Sequence, residues 1–582
     1  MAIELILNGD NSSEIKELHD LEILASIEKG NVNARITTDQ ITLVNNYAKL
    51  VRDYIAGGAN GTTNGIFEGL PLQIQENGVN VFDGYLDFLN DFEIVNPTTV
   101  KSRIKKYDSN DNFQDKANGL TFGFLSQINV VTNSDQILVP YLIEKPFNFV
   151  EFAFISVTIY IIGRDLVELI QGVIYDIGVV AGDVAGGATG AAGGAISGAA
   201  VIAVSAAIAF FMTNALAQLI LELLAYLISP VKYHRAMRVE RLIQKACSFL
   251  NLTYNTSIVD IPELVLLPSK TEVDQDTQQG FILSNITIIQ PGRGIPSTAD
   301  YGYTFGELLD AMNKTFNAEY AVINGVLQHH TKSSSFWLQQ SAYVLPDILQ
   351  ESIVTNANEL ISDKVIHFKS DLKDYNTLEN FLGTTYEIRT RPISVSDSRN
   401  VLSNGFGKVE IPYALGNRKN SLNKFEQFIE NLFSKFDDLV NWFPGGSSNL
   451  AGVMNGRIGY LKLETDYLNT PKLMKMDSNN RLLLNNRNTW SARYLYNNYH
   501  NSDSFVLNNF GNQYYVYKNV RVPFGFEDFN QLTQNSYFYN QNGDICKLEK
   551  INWNISQDFA TLDYRVKTKY TSNLIESYIE ES

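Results

Sequence analysis

Residues 70–88 read Leu-Pro-Leu-Gln-Ile-Gln-Glu-Asn-Gly-Val-Asn-Val-Phe-Asp-Gly-Tyr-Leu-Asp-Phe. Leu70, Leu72 and Ile74 recur at every second position, the period of a half-buried strand. A second strand-like run begins at Val79. Between them lies Asn77-Gly78, and both residues tolerate the positive φ angles of a type I′ turn. The stretch predicts an antiparallel hairpin and a β-rich fold.

Working outward, Ile3–Leu7 reads as a strand. The opening run Met1–Asp10 lacks the basic residues and small-residue cleavage site of a signal peptide. Thr38-Asp39 is expected to cap a helix from Gln40 to Ile55, on the apolar spacing Leu43, Val44, Tyr47, Leu50, Val51 and Tyr54. The basic cluster Tyr233–Arg241 leads a helix through Phe249, with Val239, Leu242, Ile243, Ala246, Cys247 and Leu250 as its apolar stripe. Its charges read as a solvated helix face, the alternative being a polyanion or lipid-headgroup site. Thr304–Phe316 is an amphipathic helix, and Thr304 with Glu307 forms a capping box. Asn317–Leu327 is a second hairpin, turning at Asn324-Gly325. Residues 371–400 are strand-rich, and a helix is expected over Leu422–Phe443. Residues 456–582 alternate around Tyr494-Leu495-Tyr496, Tyr514–Tyr517, Tyr537–Tyr539 and Ile551–Thr568, which predicts a barrel or sandwich.

One segment differs from all of these. From Val184 to Leu221 there is no charged residue, a run longer than the roughly 20 residues that span a bilayer. Gly182, Gly186, Gly190, Gly194 and Gly198 form a small-residue ladder that permits close helix approach, and Phe210-Phe211 follow it. The expectation is an apolar helical hairpin, or two long packed helices, shielded in an oligomer, inserted conditionally into a membrane, or anchored permanently. Asp165, Glu168, Asp176 and Asp183 in its approach weigh against a permanent anchor.

The fold class expected is therefore α+β and multidomain, with several β-barrel or β-sandwich domains and a long apolar helical hairpin. The divisions are 1–150 (N-terminal barrel), 151–230 (hairpin), 231–400 (α+β), 401–455 (helical connector) and 456–582 (C-terminal barrel). Composition agrees with an assembly subunit. In 582 residues, charged side chains are 19%, below the roughly 25% of ordinary domains, and aromatics reach 12%. That aromatic content excludes intrinsic disorder. A net charge of −17 disfavours a phosphate backbone, so no specific nucleic-acid binding is expected.

Chemistry is sparse. Cys247 and Cys546 are read as two buried free thiols. His329-His330 sit on neighbouring strand positions that face opposite sides, which makes a shared metal improbable on geometry; they read as surface histidines. Asp108–Asn112 lacks the Gly and closing Glu of a calcium loop. No catalytic, cofactor or metal site is expected.

Phe67-Glu68-Gly69-Leu70-Pro71 followed by Asn80–Leu86 resembles the strand pairs of barrel domains in bacteriophage tail and baseplate proteins. Tyr303–Asp310, Phe316–Tyr320 and Asn324–Leu327 together are similar to a helix-then-hairpin module of that class. Ile551–Asn554 through Asp563–Val566 resembles closing barrel strands. The Asn- and Tyr-rich style resembles structural proteins of phages that infect Bacteroidetes-type hosts. The resemblance implies a non-enzymatic hub or tail-tip protein of the virion, a homotrimer or ring that closes the tail tube. Its partners would be the tube, spike, fibres and tape measure, and the host membrane at genome ejection. The alternatives are a pore-forming or injection protein and a tail-associated glycan-degrading enzyme.

Overall fold

In this computed structural model the residues described are 3–9, 21–27, 30–57, 69–89, 92–106, 111–143, 232–269, 272–283, 286–294, 303–339, 343–354, 361–371, 383–389, 405–416, 461–463, 470–477, 489–500 and 516–567, with scattered positions between 422 and 468. Seven strands open the chain: β1 Ile3–Leu7, β2 Glu22–Ile27, β3 Ala34–Val44, β4 Leu70–Glu76, β5 Val79–Asp87, β6 Glu93–Asn96 and β7 Thr99–Lys106, with α1 (Asn46–Ile55) after β3. Helices α2 (Asp111–Gly119) and α3 (Phe122–Gln127) lead to β8 (Gln136–Ile143). Next come β9 (Lys232–Arg238), α4 (Val239–Phe249), β10 (Thr253–Thr256), β11 (Leu264–Leu267), β12 (Glu272–Leu283) and β13 (Ile286–Gly294). Helix α5 (Phe305–Phe316) and the hairpin β14 (Ala318–Ile323) and β15 (Val326–Thr331) precede α6 (Ser335–Gln339), β16 (Gln350–Val354), β17 (Ile361–Phe368), β18 (Thr385–Arg389), β19 (Gly405–Ile411) and β20 (Ala414–Leu415). The last elements are β21 (Leu461–Leu463), β22 (Lys472–Lys475), α7 (Ala492–Leu495) with a π-helical turn Tyr496–His500, β23 (Val516–Pro523), α8 (Phe526–Gln534), β24 (Tyr537–Tyr539), β25 (Ile545–Asn554) and β26 (Phe559–Lys567).

The two chain ends share one twelve-stranded sheet, ordered β1-β4-β5-β7-β3-β2-β25-β26-β23-β16, with β6 on β7 and β24 on β25. Its seam is the antiparallel pair β2–β25, running from Glu22 opposite Asn554 to Ser26 opposite Lys550. Alternation decides which side is buried: Cys546, Leu548, Ile551 and Trp553 of β25 point inward with Ile23 and Ala25 of β2. Helices α1 and α8 close this first core. Trp553 is its centre, with the rings of Phe524, Phe526 and Phe529 at centroid distances of 5.3, 4.7 and 5.7 Å. Aromatic contacts of this kind add to plain area burial.

A second, eight-stranded sheet runs β12-β13-β9-β11-β22-β20, with β8 on β9 and β21 on β8. Met237, Leu264, Leu266 and Leu473 face a second core with α4, α5 and Trp490. Ala236, Val265, Leu267 and Met474 face the opposite, third core. Two three-stranded sheets complete the fold, β10-β15-β14 and β18-β17-β19. Both cysteines are free and buried.

Both hairpins form as expected. Asn77 and Gly78 take φ of 50° and 79°, and Asn324 and Gly325 take 51° and 75°, the left-handed pair that a type I′ turn requires. The Thr304 capping box is present, with Glu307 N–H donating to Oγ1 at 3.1 Å and Thr304 N–H to Oε2 at 3.0 Å.

Other expectations are corrected. Gln40–Val44 is strand, not helix: Ile41 and Leu43 are buried and pair with Ser102 and Val100 of β7, so the β-branched run joins the sheet. Thr38 caps nothing; its hydroxyl accepts the Ile104 N–H at 2.9 Å inside that sheet. Tyr494–Tyr496 is helical, begun by Ser491, whose side chain accepts from Tyr494 N–H. Arg235 and its neighbours belong to strand β9 before the helix starts at Val239. No sheet closes into a barrel among the described residues, because β1 and β16 end the large sheet unjoined. The helical hairpin over 151–230 lies outside the described residues.

Candidate functional site

Gly182, Gly186, Gly190, Gly194, Gly198, Phe210 and Phe211 lie outside the described residues, but the two ends of their segment are described. β8 and β9 are antiparallel neighbours, Tyr141 facing Lys232 and Leu138 facing Arg235. The chain therefore leaves after Ile143 and returns at Lys232 from adjacent strand ends. This β8–β9 stem is firmly seated: Val139, Tyr141 and Ala236 are fully buried in the third core. Among the described residues no helix is long and apolar enough to cross a membrane.

The basic cluster beside the stem is largely consumed within the fold. Lys245 lies 3.2 Å from Asp135 and Arg241 lies 3.3 Å from it, and Arg238 donates to the Pro262 carbonyl at 2.8 Å. Burial raises the Asp135 carboxyl, but the Thr132 N–H and hydroxyl and the Lys245 ammonium outweigh it and hold it down at about 2. These charges support the loop before β8.

Exposed apolar residues gather at two strand edges of the large sheet. β6 pairs only with β7 among the described residues and is exposed throughout, with Ile94 at 52% and Val95 beside it, and Leu89 at 58% just before the strand. At one end of the sheet, β16 pairs only with β23 among the described residues, and Leu349 precedes it at 59% exposure. An unpaired edge with apolar side chains is an aggregation hazard unless something covers it. Sequence reading missed both edges. The available signal was the adjacent pair Ile94-Val95, which places an apolar side chain on each side of a strand.

Two polar knots stand out in the described interior, one on Asp260 and one on Glu319. Asp260 accepts from Lys475 at 2.6 Å, from Tyr499 at 2.6 Å, and from Tyr494 at 2.9 and 3.1 Å. Burial, and secondly the Asp260 carboxylate, push the Tyr499 phenol well above its ordinary range. Glu319 accepts from Tyr537 at 2.9 Å and pairs with Lys547. Burial lifts the Cys247 thiol to about 12, so it is no nucleophile at neutral pH. Among the described residues no group of His, Cys, Asp and Glu could hold a metal. A cleft of about 400 Å³ lies between the β4–β5 turn and α8, lined by Glu76, Asn80, Glu527, Asn530, Gln531 and Gln534 among others. Its amides and carboxylates come without a histidine or cysteine.

The surface reading of His329 and His330 is corrected. They do point to opposite sides of β15, yet both are buried, at 0% and 3% exposure, because α5 and β10 cover one side and α6 the other.

No protein-family model matches the chain, and no curated protein matches it. Solved structures to which it is similar are a 43 kDa tail protein of prophage MuSo2 from Shewanella oneidensis (8% identity, 97% of this chain and 95% of that one, TM-score 0.33) and prophage tail protein gp18 from Listeria monocytogenes (6% identity, 100% and 99%, TM-score 0.30). A third is a tail protein from Neisseria meningitidis (8% identity, 97% and 96%, TM-score 0.28). Superposition at these scores establishes neither a shared fold nor a shared role.

Proposed function

We propose that this chain is a structural subunit of a phage-type tail, assembling as a ring at the hub or tip that closes the tube and carries spike or fibres. The observation that supports the reading is a pair of open stretches on one sheet: β6 with exposed Ile94 and Val95, and the start of β16 with exposed Leu349 before it. They are different patches, so contact between them is head-to-tail, and head-to-tail contacts that close give cyclic rings. Scarce charge and abundant aromatics suit a buried interface. The resemblance of the hairpin and helix-then-hairpin segments to tail and baseplate proteins sets the proposed copy number at three. The glycan-degrading alternative calls for a recessed pair of carboxylates; Glu76 and Glu527 both line the cleft beside α8, and incubation with host glycan that gives no products ends that alternative.

Light scattering tests the ring. The wild-type mass is expected at a multiple of the 65.3 kDa chain, and Ile94→Lys with Val95→Lys is expected to reduce it to a single chain with its circular dichroism intact. A wild type that stays a single chain at micromolar concentration, or a double variant of unchanged mass, contradicts the reading.

A second reading concerns the segment on the β8–β9 stem. Its uncharged run Val184–Leu221, flanked by the adjacent strands β8 and β9, favours entry into the host membrane at ejection, with Gly182 to Gly198 packing one helix on another and Phe210 and Phe211 facing lipid or a neighbouring copy. Vesicle leakage measured across pH is expected for the wild type and is expected to be lost in Gly190→Leu with Gly194→Leu. Leakage that is absent throughout, or that survives the double substitution, removes this reading.

A further inference from the structure

The first and second cores meet at the β14–β15 hairpin. Residues 30–33 run along β14: Tyr320 N–H donates to the Gly30 carbonyl at 3.0 Å, Val32 N–H to the Tyr320 carbonyl at 2.9 Å, and Val322 N–H to Asn33 Oδ1 at 2.9 Å. Asn313 on α5 adds its Nδ2–H to the Gly30 carbonyl at 3.2 Å. Val32, Ala321, Trp337 and Tyr537 form a small apolar cluster at the same place.

Three buried histidines lie on the second-core side of this joint, and Asn313 links His329 to the Gly30 carbonyl across it. His330 Nδ1 receives the Ser257 N–H at 3.2 Å and lies 2.9 Å from the Ser257 hydroxyl, while Nε2 lies 3.1 Å from Gln328 Oε1. A nitrogen that accepts from a backbone N–H carries no proton itself, so this imidazole is neutral, with its hydrogen on Nε2. It stacks on Phe336 at 4.2 Å. His329 lies between the Tyr254 hydroxyl, 3.0 Å from Nδ1, and Asn313 Oδ1, 3.2 Å from Nε2. His500 lies 3.1 Å from the Thr315 carbonyl near the end of α5.

We propose that the β14–β15 hairpin is an acid-sensitive joint: proton uptake by His330 and His329 releases it from residues 30–33 and lets the two cores part while each stays folded. A proton on His330 Nδ1 would face the Ser257 N–H, donor against donor, and lose that bond. A proton on His329 would place a charge at a fully buried site whose other polar neighbours are Tyr254 and Asn313. The charged groups nearby do not offset this. Glu319 is the cross-strand partner of His330 but is held by Lys547 of β25 and Tyr537 of β24. Tyr254, on β10, is influenced by Glu240 and Cys247 of α4, and Asp260 is held by Lys475 and the two tyrosines.

Burial holds His329 at about 3, with His330 contributing, and His330 at about 4, against 6.5 for the free side chain. Between 6.5 and 4 the opened joint binds more protons than the closed one, so falling pH favours opening. Each histidine adds up to about tenfold per pH unit to the opening equilibrium, and the effect levels off below the closed-state values.

Hydrogen exchange of the full chain between pH 7 and 4.5, corrected for intrinsic rates, tests the joint. Peptides covering residues 30–33 and 318–331 are expected to lose protection by about tenfold or more per pH unit below 6, while 545–567 stay protected. His330→Asn, whose Oδ1 replaces Nδ1 as acceptor, is expected to flatten the slope. Protection unchanged to pH 4.5, loss shared equally by 545–567, or an unaltered slope in His330→Asn overturns the proposal. If that variant does not fold, the wild-type contrast between the two regions decides.

Discussion

Replacing Lys472 by methionine is expected to destabilise the chain by about 3–5 kcal/mol, read as a lowered denaturant midpoint. Lys472 opens β22, where it faces Leu267 of β11 and Ala414 of β20. Its ammonium lies 3.2 Å from the Asp371 carboxylate, and both side chains are at 0% exposure. Asp371 follows β17, so the pair ties the β18-β17-β19 sheet to the eight-stranded one. Two desolvated charges at this separation gain little net stability over an apolar pair. Removing one partner is different, because the other charge loses its opposite charge in a medium that solvates it poorly. The double variant Asp371→Leu with Lys472→Met is therefore expected to recover most of the loss. Equal destabilisation of single and double variants would show that Lys472 acts through its packing and not through its charge.

The second large effect is expected at Asp260→Ala, a loss of roughly 3 kcal/mol or more, since three hydrogen-bond donors lose a charged acceptor at once. Asp260 precedes β11, Lys475 ends β22, and Tyr494 and Tyr499 lie on α7 and its π-helical turn, so one carboxylate joins three parts of the second core. Lys475 retains Glu263 at 3.0 Å, which limits the damage on its side. Tyr494 keeps its contact with Lys475, so Tyr499 is the phenol that loses most. Tyr499→Phe removes one bond and leaves Asp260 with Lys475 and Tyr494, so about 1 kcal/mol is expected. A Tyr499→Phe loss as large as that of Asp260→Ala would mean that the tyrosine, not the carboxylate, organises the site. Both substitutions are scored on the midpoint of the second core, for which Trp490 fluorescence is the local probe.

Much of the local structure is legible in the sequence, and little of the partnership is. Asn77-Gly78 and Asn324-Gly325 specify their hairpins because the turn itself demands positive φ at both residues. Thr304 and Glu307 specify a helix start by reciprocal bonds three residues apart. Gln40–Val44 misleads because Leu43, Val44 and Tyr47 fit the helical period, whereas strand β7 offers Ile41 and Leu43 cross-strand partners that no local pattern displays. The β2–β25 seam joins residues more than five hundred positions apart, and periodicity carries no information on such pairing. The histidines mislead for a similar reason. Alternation assigns His329 and His330 to opposite sides of a strand correctly, but burial of both sides depends on α5, β10 and α6 arriving there.

The exposed edges show the converse. Ile94 and Leu349 are ordinary letters in sequence, and only the strand pairing leaves them on or beside open edges. Their exposure is also the point at which the proposed assembly is most open to refutation. A three-dimensional reconstruction of the intact particle bears on it most directly. The expected result is a ring of copies on the tail axis at the end of the tube, with β6 of each copy against β16 of the next. A particle that lacks the chain, or carries it as single copies with both edges facing solvent, would contradict it.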